Sequence, residues 1–324
     1  MKGVSVILCC YNSSKRLPDT LTHLANQEFN TAIPWEIILV DNNSRDNTLS
    51  VAEGTWRLLK GTASFKTVIE NKQGLAHARR RGIDESRFDY LLFCDDDNWL
   101  EKSYIENAFE ILENNPTVGM AGGWSEAVLE GEPPEWFERY KGSYIVGRQA
   151  PKSGILSNRT YLWGAGLVMR KSVFSFAQKL NFKSYMIDRE GDKLSSGGDS
   201  ELCNWALLLG YQLWYDERLR FKHFIPNNRV SIEYANQLNE GFAKASYWLS
   251  KYDYHIFLKH QNRSRLTNFA IGIAKLIFRS GSNRSHLQFM IGPIWKISTE
   301  NDYQFVKTYY RFIYEFRTPK QLTN

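Results

Sequence analysis

An α/β protein is what this sequence predicts, with a mostly parallel sheet flanked by helices and a mainly helical C-terminal extension. Three observations predict it. Strand-like and helix-like runs alternate over the first hundred residues, which is the signature of βαβ units. The strand-like runs are continuously apolar rather than alternating, so their sheet is expected to be covered on both faces. Polar clusters follow these runs at residues 11–12, 41–43 and 95–97, where open α/β sheets place their ligands.

Residues 4–10 (VSVILCC) read as a buried strand that stops at the turn-prone Tyr11, Asn12, Ser13 and Ser14. A helix follows, with Pro18 in its first turn and Leu17, Leu21, Leu24 and Ala25 on one face. Residues 35–40 (WEIILV) form a second strand closed by Asp41, Asn42, Asn43 and Ser44, and a helix covers about 46–60. A short strand at 67–70 precedes an Ala- and Arg-rich helix over 74–83, and residues 90–94 make a fourth strand ending on Asp95, Asp96 and Asp97. After residue 120 the pattern loosens into Gly- and Trp-rich loops. Regularity returns as a helix over 199–209 stopped by Gly210, then a strand over 211–215. Beyond about 230 the chain reads as amphipathic helix, most clearly over 268–279.

The 324 residues suffice for a large core, and 43% hydrophobic with 23% charged residues is ordinary for a globular protein. Four cysteines (Cys9, Cys10, Cys94, Cys203) lack zinc-type spacing, and three lie in apolar runs, so they are expected to be reduced core residues of a cytoplasmic protein. The short N-terminal apolar run reads as a strand and does not resemble a signal peptide; no run of 18 apolar residues is present. Charge is uneven. From residue 230 onward thirteen Lys/Arg face six Asp/Glu, whereas the whole chain is +6, so the first 229 residues are near neutral. A basic, aromatic C-terminal part points either to peripheral contact with an anionic membrane face or to a solvated helical bundle packed on the catalytic domain, with nucleic acid not expected as a partner.

Asp95 and Asp97, two apart at a strand end, are expected to face one way. Such a pair suits Mg²⁺ or Mn²⁺, which keeps waters and bridges phosphates. The plainer alternative is a solvated acidic turn, which the neighbouring polar strand ends disfavour. Asp199, where a helix begins, reads either as an N-cap or as a general base held by a Gly-rich loop. Glu201 either binds an acceptor hydroxyl or simply occupies a favourable first turn. His223 is either structural or a partner to Asp97 at a metal. Arg79, Arg80 and Arg81 cannot share one helix face, so one or two of them, or Lys72, would turn toward a diphosphate. Trp163, in WGAG, is either a buried aromatic on a tight turn or a platform for a sugar or acceptor. No GxGxxG follows the first strand, residues 142–149 lack the Lys-Ser/Thr of a P-loop, and no GxSxG nucleophile motif is present.

Six stretches carry a resemblance over about residues 3–226: VSVILCCYNSSKRLPDTL, WEIILVDNNSRDNT, NKQGLAHARRRGID, LLFCDDDNWL, YLWGAGLVMRKSVF and GGDSELCNWALLLGYQLWYDERLRFKHFIP. In this order they resemble a glycosyltransferase of family 2 with the GT-A (Rossmann-like) fold. The resemblance implies a nucleotide-sugar donor, usually a UDP-sugar, a divalent metal (Mn²⁺ or Mg²⁺) and inversion in one displacement. It implies that Tyr11 and Asn12 meet the base, Asp41 the base or ribose, and Lys72 or Arg79, beside Gly74, the uridine or diphosphate. Asp95 would lie near ribose and metal, Asp97 would be the principal metal ligand, His223 would complete the metal site, and Asp199 would be the base. Asp96 is read as reaching the donor sugar or solvent. The family's acidic pair is reduced here to Asp199, because Gly198 stands in the first position, and Cys9-Cys10 replaces the usual small or hydroxyl residues.

The expected organisation is a catalytic domain over 1–228, with 1–115 binding the nucleotide sugar and 116–228 carrying the acceptor side and base, then a basic helical extension over 229–324. The expected activity is an inverting, metal-dependent transfer of a sugar to a hydroxyl of a saccharide or lipid-linked acceptor, in surface polysaccharide or glycolipid synthesis. A nucleotidyltransferase would also use strand-end carboxylates and a metal, but without need of Asp199 or WGAG. A non-catalytic nucleotide-sugar-binding subunit is the third reading.

Overall fold

A computed structural model describes residues 1–157, 159–180, 182, 184–186 and 196–261. In chain order the elements are β1 (Val4–Cys10), α1 (Leu17–Ala25), β2 (Trp35–Asp41), α2 (Thr48–Leu59), β3 (Ser64–Ile69), α3 (Leu75–Glu85), β4 (Tyr90–Asp95), β5 (Asn98–Leu100) and α4 (Tyr104–Asn114). There follow β6 (Val118–Leu129), α5 (Phe137–Tyr140), β7 (Gly154–Ile155), β8 (Val168–Arg170), α6 (Lys171–Lys179), α7 (Gly198–Leu208), β9 (Gln212–Ile225) and α8 (Ile232–Gln261).

Among the described residues, nine strands form one mixed sheet in the order β3-β2-β1-β4-β8-β6-β9-β5, with β7 on β9. Its first four strands are parallel, β8 runs against β4 and β6, β6 and β9 are parallel, and β5 runs against β9. Alternation in β1 shows why the sheet is covered on both sides. Val4, Val6, Leu8 and Cys10 enter a core with α1 and α4, while Ile7 enters a second core with α3, α6 and α7. Each large apolar side chain so buried contributes about 1.5–3 kcal/mol relative to exposure.

The order β2-β1-β4 reverses direction at β1, so the carboxyl ends of β1 and β4 border a topological switch point. Register makes those ends level, with Cys10 opposite Asp41 and Cys9 opposite Asp95. The loose pattern after residue 120 conceals β6, a twelve-residue strand paired along β9 with two irregularities near its glycines. The expected strand over 211–215 is the start of β9, which runs on for fourteen residues and carries His223. Helix α8 packs on the body: Ala235 and Leu238 join a cluster with Phe137, Tyr144 and Ile225, and Tyr252 and Ile256 enter the core beside α7. The amphipathic stretch at 268–279 lies outside the described residues. Among the described residues, no helix is long and apolar enough to cross a membrane.

Candidate active site

One cleft of about 570 Å³ opens over the level strand ends, a size suited to holding a whole small-molecule ligand. Its lining brings together Tyr11, Asn12, Gly74, Arg79, Asp95, Asp96, Asp97, Asp199 and His223, of the residues singled out in the sequence. It also contains Arg16, Tyr144, Arg229 and, from α8, Tyr234, Gln237, Leu238 and Phe242.

The three acids are not arranged by strand periodicity as expected. Strand β4 ends at Asp95, and Asp96 and Asp97 form the turn into β5. Asn98 shapes that turn: its Oδ1 accepts from the Asp95 N–H (3.1 Å) and its Nδ2 donates to Asp97 Oδ1 (3.2 Å). Asp96 turns to α1, where Arg16 Nη2 donates to its Oδ2 (2.5 Å) and Thr20 to its carbonyl (2.8 Å). Asp97 turns to the other wall. Arg229 Nη1 donates to its Oδ2 at 2.9 Å, and His223 Nε2 stands 3.6 Å from its Oδ1. The Phe224 N–H also donates to the Asp97 carbonyl (2.9 Å), fastening the turn to β9.

These environments push the two neighbouring acids apart. Burial and the Asp97 charge raise the pKa of Asp96 against the pull of Arg16. Burial also works against ionised Asp97, but His223, then Arg229 and Arg16, overcome it and hold its carboxyl well below the usual range. Asp97 is therefore the firmly ionised member.

The donor set fits a divalent cation shared with a phosphate ligand rather than a closed protein cage. His223 Nδ1 lies 2.9 Å from the Tyr144 carbonyl, which can only accept, so Nδ1 carries a proton. In the neutral ring Nε2 then presents its lone pair toward Asp97, the arrangement that orients metal-ligating histidines. Among the described residues no three His, Cys, Asp or Glu side chains converge on one point. Two protein ligands with the rest from phosphate and water is ordinary for Mg²⁺-type sites.

Asp199 lies in the first turn of α7, and the cap is Gly197 (φ 120°), so the N-cap reading does not hold for Asp199. Gly164 explains the WGAG loop. A Cβ there would stand 2.7 Å from Arg79 Nη2 and 3.2 Å from Asp199 Oδ2, so the loop's lack of a side chain lets α3 and α7 bring cation and acid to one spot. Arg79 is buried with its guanidinium 5.4 Å from the Phe93 ring centre. Arg80 and Arg81 instead pair outward, with Asp84 and Glu85 respectively.

Four other expected residues lie off the cleft lining. Lys72 is exposed, and its carbonyl accepts from Asn42 Nδ2 (2.8 Å); Asn42 Oδ1 in turn accepts from the Gly74 N–H (2.7 Å), so Asn42 shapes the loop leading into α3. Asp41 is buried beside Asn42, with Oδ2 accepting from the Ser44 N–H (3.3 Å) and Oδ1 without a hydrogen-bond partner. Trp163 is half-buried, its backbone N–H donating to Gln149 Oε1 (2.8 Å) and its ring lying under the Arg159 guanidinium. Glu201 is buried behind the site, accepting from the Ser184 hydroxyl, the Tyr185 N–H (2.9 Å) and the Tyr252 hydroxyl (2.7 Å). Its place in α7 therefore anchors α8, and its carboxylate has no access to an acceptor in the cleft.

Sequence reasoning missed Arg229, Tyr144 and the α8 wall. Tyr144 connects them: its hydroxyl donates to the carbonyls of Arg229 (2.8 Å) and Ser231 (3.2 Å), and its ring stacks on Tyr234 at 6.0 Å. Nothing at residues 144 or 229 marks them locally, because their roles arise from contacts far away in the sequence.

A doubly covered α/β sheet with a cation-lined, carboxylate-bearing cleft at its switch point belongs to the open α/β class that takes its ligands at the strand ends. The comparisons with known proteins make this specific. The family model of Glycosyl transferase family 2 matches residues 5–176, and the chain belongs to that family. It is 25% identical over 245 residues to the poly(ribitol-phosphate) beta-N-acetylglucosaminyltransferase TarP of Staphylococcus aureus (strain N315), covering 74% of this chain and 71% of that protein. It is 29% identical over 124 residues to the poly-beta-1,6-N-acetyl-D-glucosamine synthase of Staphylococcus epidermidis, but the match spans only 28% of that protein. The crystal structure of S. aureus TarS 1–349 in complex with UDP-GlcNAc superposes with a TM-score of 0.56 at 16% identity, covering 97% of this chain and 82% of that one. The fold is thus of the GT-A kind, and of the three readings the family selects the glycosyltransferase.

Proposed function

We propose that this enzyme moves a sugar from a UDP-sugar to a hydroxyl of a saccharide or lipid-linked acceptor, with inversion, in the synthesis of a surface polysaccharide or glycolipid. The observation that carries the reading is that the ionised Asp97 with His223, the Arg79 guanidinium and the Asp199 carboxylate all line one cleft over the sheet's switch point. UDP-GlcNAc, bound by the TarS structure, is the donor to test first.

Tyr11 and Asn12 line the nucleotide end, and Asp41, buried off that lining, accepts from the Ser44 N–H in the adjoining loop. Asp97 and His223, with Asp95 in the same lining, would hold the divalent cation, which supplies neutralisation of the leaving diphosphate. Arg79 adds a fixed positive charge where that charge develops. Asp199, beside Arg79, would take the proton of the attacking hydroxyl, a role a single carboxylate can fill. The α8 residues Tyr234, Leu238 and Phe242 would form the acceptor wall. That helix abuts the loop before Asp199: a Cβ at Gly197 would stand 3.0 Å from Ala245, one turn beyond Phe242. The basic balance beyond residue 230 supports peripheral contact with an anionic membrane face.

The test is UDP release by the full chain with Mn²⁺ and a panel of nucleotide sugars. Release or tight UDP binding that needs Mn²⁺ and disappears with chelator is expected. Equal release in excess chelator would remove the metal from the reading, and neither release nor binding with any nucleotide sugar would contradict the reading as a whole.

A further inference from the structure

We propose that Arg229 is a positioning residue that occupies Asp97 as a surrogate cation until metal and donor arrive together, and so makes divalent-cation binding depend on the nucleotide. The proposal rests on the metal-and-donor reading above.

The geometry points to an exchange rather than a fixed brace. Arg229 Nη1 holds Asp97 Oδ2 at 2.9 Å, while Oδ1 faces His223 Nε2. A cation shared by Asp97 and His223 would enter beside a guanidinium already neutralising the same carboxylate. Two such charges on one buried carboxylate repel one another, so metal binding by itself must weaken the Arg229 contact. Arg229 can yield because its side chain is 25% exposed, against 6% for Asp97, and it lines the same cleft. A diphosphate in that cleft would give the displaced guanidinium a second anion. Metal and nucleotide then favour one another through Arg229, a coupling that is reciprocal by linkage.

The chain path gives the exchange a consequence. Arg229 ends the 3-10 turn Asn227–Arg229, three residues before α8, and its carbonyl accepts from the Tyr144 hydroxyl. Tyr144 also holds His223 through its own carbonyl and stacks on Tyr234 of α8. One residue thus touches the metal ligand, the exchanging arginine and the first turn of the proposed acceptor wall.

The experiment measures Mn²⁺ affinity of the full chain, alone and with saturating UDP, in wild type, Arg229→Gln and Arg229→Lys. In wild type, UDP should tighten Mn²⁺ binding strongly. Arg229→Gln should bind Mn²⁺ alone more tightly, by roughly tenfold, because the competing charge on Asp97 is gone, and UDP should add correspondingly less. Arg229→Lys keeps the charge and should restore most of the coupling, which also guards against a folding defect in the Gln variant. Wild-type coupling unchanged in Arg229→Gln would overturn the exchange while leaving the enzyme reading intact. Wild type binding no Mn²⁺ even with UDP would overturn both.

Discussion

The Arg229 guanidinium and the His223 ring meet one carboxylate at Asp97, and the balance has a sign that can be measured. The fold favours ionised Asp97, so its contribution is fully present above the ordinary carboxylate pKa of about 3.9 and is lost as pH falls below it, through the depressed folded value. Asp97→Asn leaves the Arg229 charge without its partner but relieves Asp96. A fully buried broken pair costs ~3–5 kcal/mol; with Arg229 a quarter exposed, we expect about 1–3 kcal/mol near pH 7. Urea denaturation should show this gap shrinking toward pH 3; a gap equally large there would mean the loss is steric. Gly164 supplies a second test. Gly164→Ala places a methyl 2.7 Å from Arg79 Nη2, so activity should fall roughly tenfold or more by displacement of Arg79 and Asp199. Thermal melting should move little, since the cleft around them can yield toward solvent. Retained activity would show that their approach is not needed.

At the scale of elements, α7 joins chemistry to architecture. Its first turn presents Asp199 to the cleft, while Glu201, two residues on, is buried against Ser184, Tyr185 and Tyr252 of α8. Glu201→Ala should cost about 2–4 kcal/mol, because it removes a charged acceptor from three donors, one of them the fully buried Tyr252 hydroxyl. Hydrogen exchange should then speed up along α8; unchanged protection there would contradict the anchoring role. Most elements of the first hundred residues were legible because β1, β2 and β4 are apolar runs and α1 shows one apolar face with Leu17, Leu21 and Leu24 buried. Strand β3 interleaves Lys66 and Thr67 and begins at Ser64, before the expected 67–70, and the three-residue β5 carries too short a pattern to be read. Strand β6 was not legible. Gly119, Gly122 and Gly123 are poor strand formers chosen by close approach, and a Cβ at Gly123 would overlap the Leu219 carbonyl. The charged stretch from Asp216 to Lys222 similarly hid the length of β9, whose polar side chains find ion-pair partners such as Glu110 and Glu126.

Over the whole molecule, the site is an assembly of distant pieces. Residues from β1, the β4–β5 turn, α3, α7, β9 and α8 share one cleft, so local pattern could find the acids, Asp199, Arg79 and His223 but not Arg16 and Arg229, which pair with Asp96 and Asp97. Asp97 and Asp199 carry motifs; Arg16, Tyr144 and Arg229 acquire their roles only when α1 and the segment before α8 close on the turn. The same assembly separates donor holding from proton removal, since Asp97 pairs with β9 and Arg229 while Asp199 sits beside Gly164 and Arg79. Asp199→Asn tests this division most directly. UDP-GlcNAc binding by calorimetry should stay within about threefold of wild type, while turnover falls roughly 10²–10⁴-fold, the range for loss of a general base. Turnover within a few-fold of wild type would contradict Asp199 as the base.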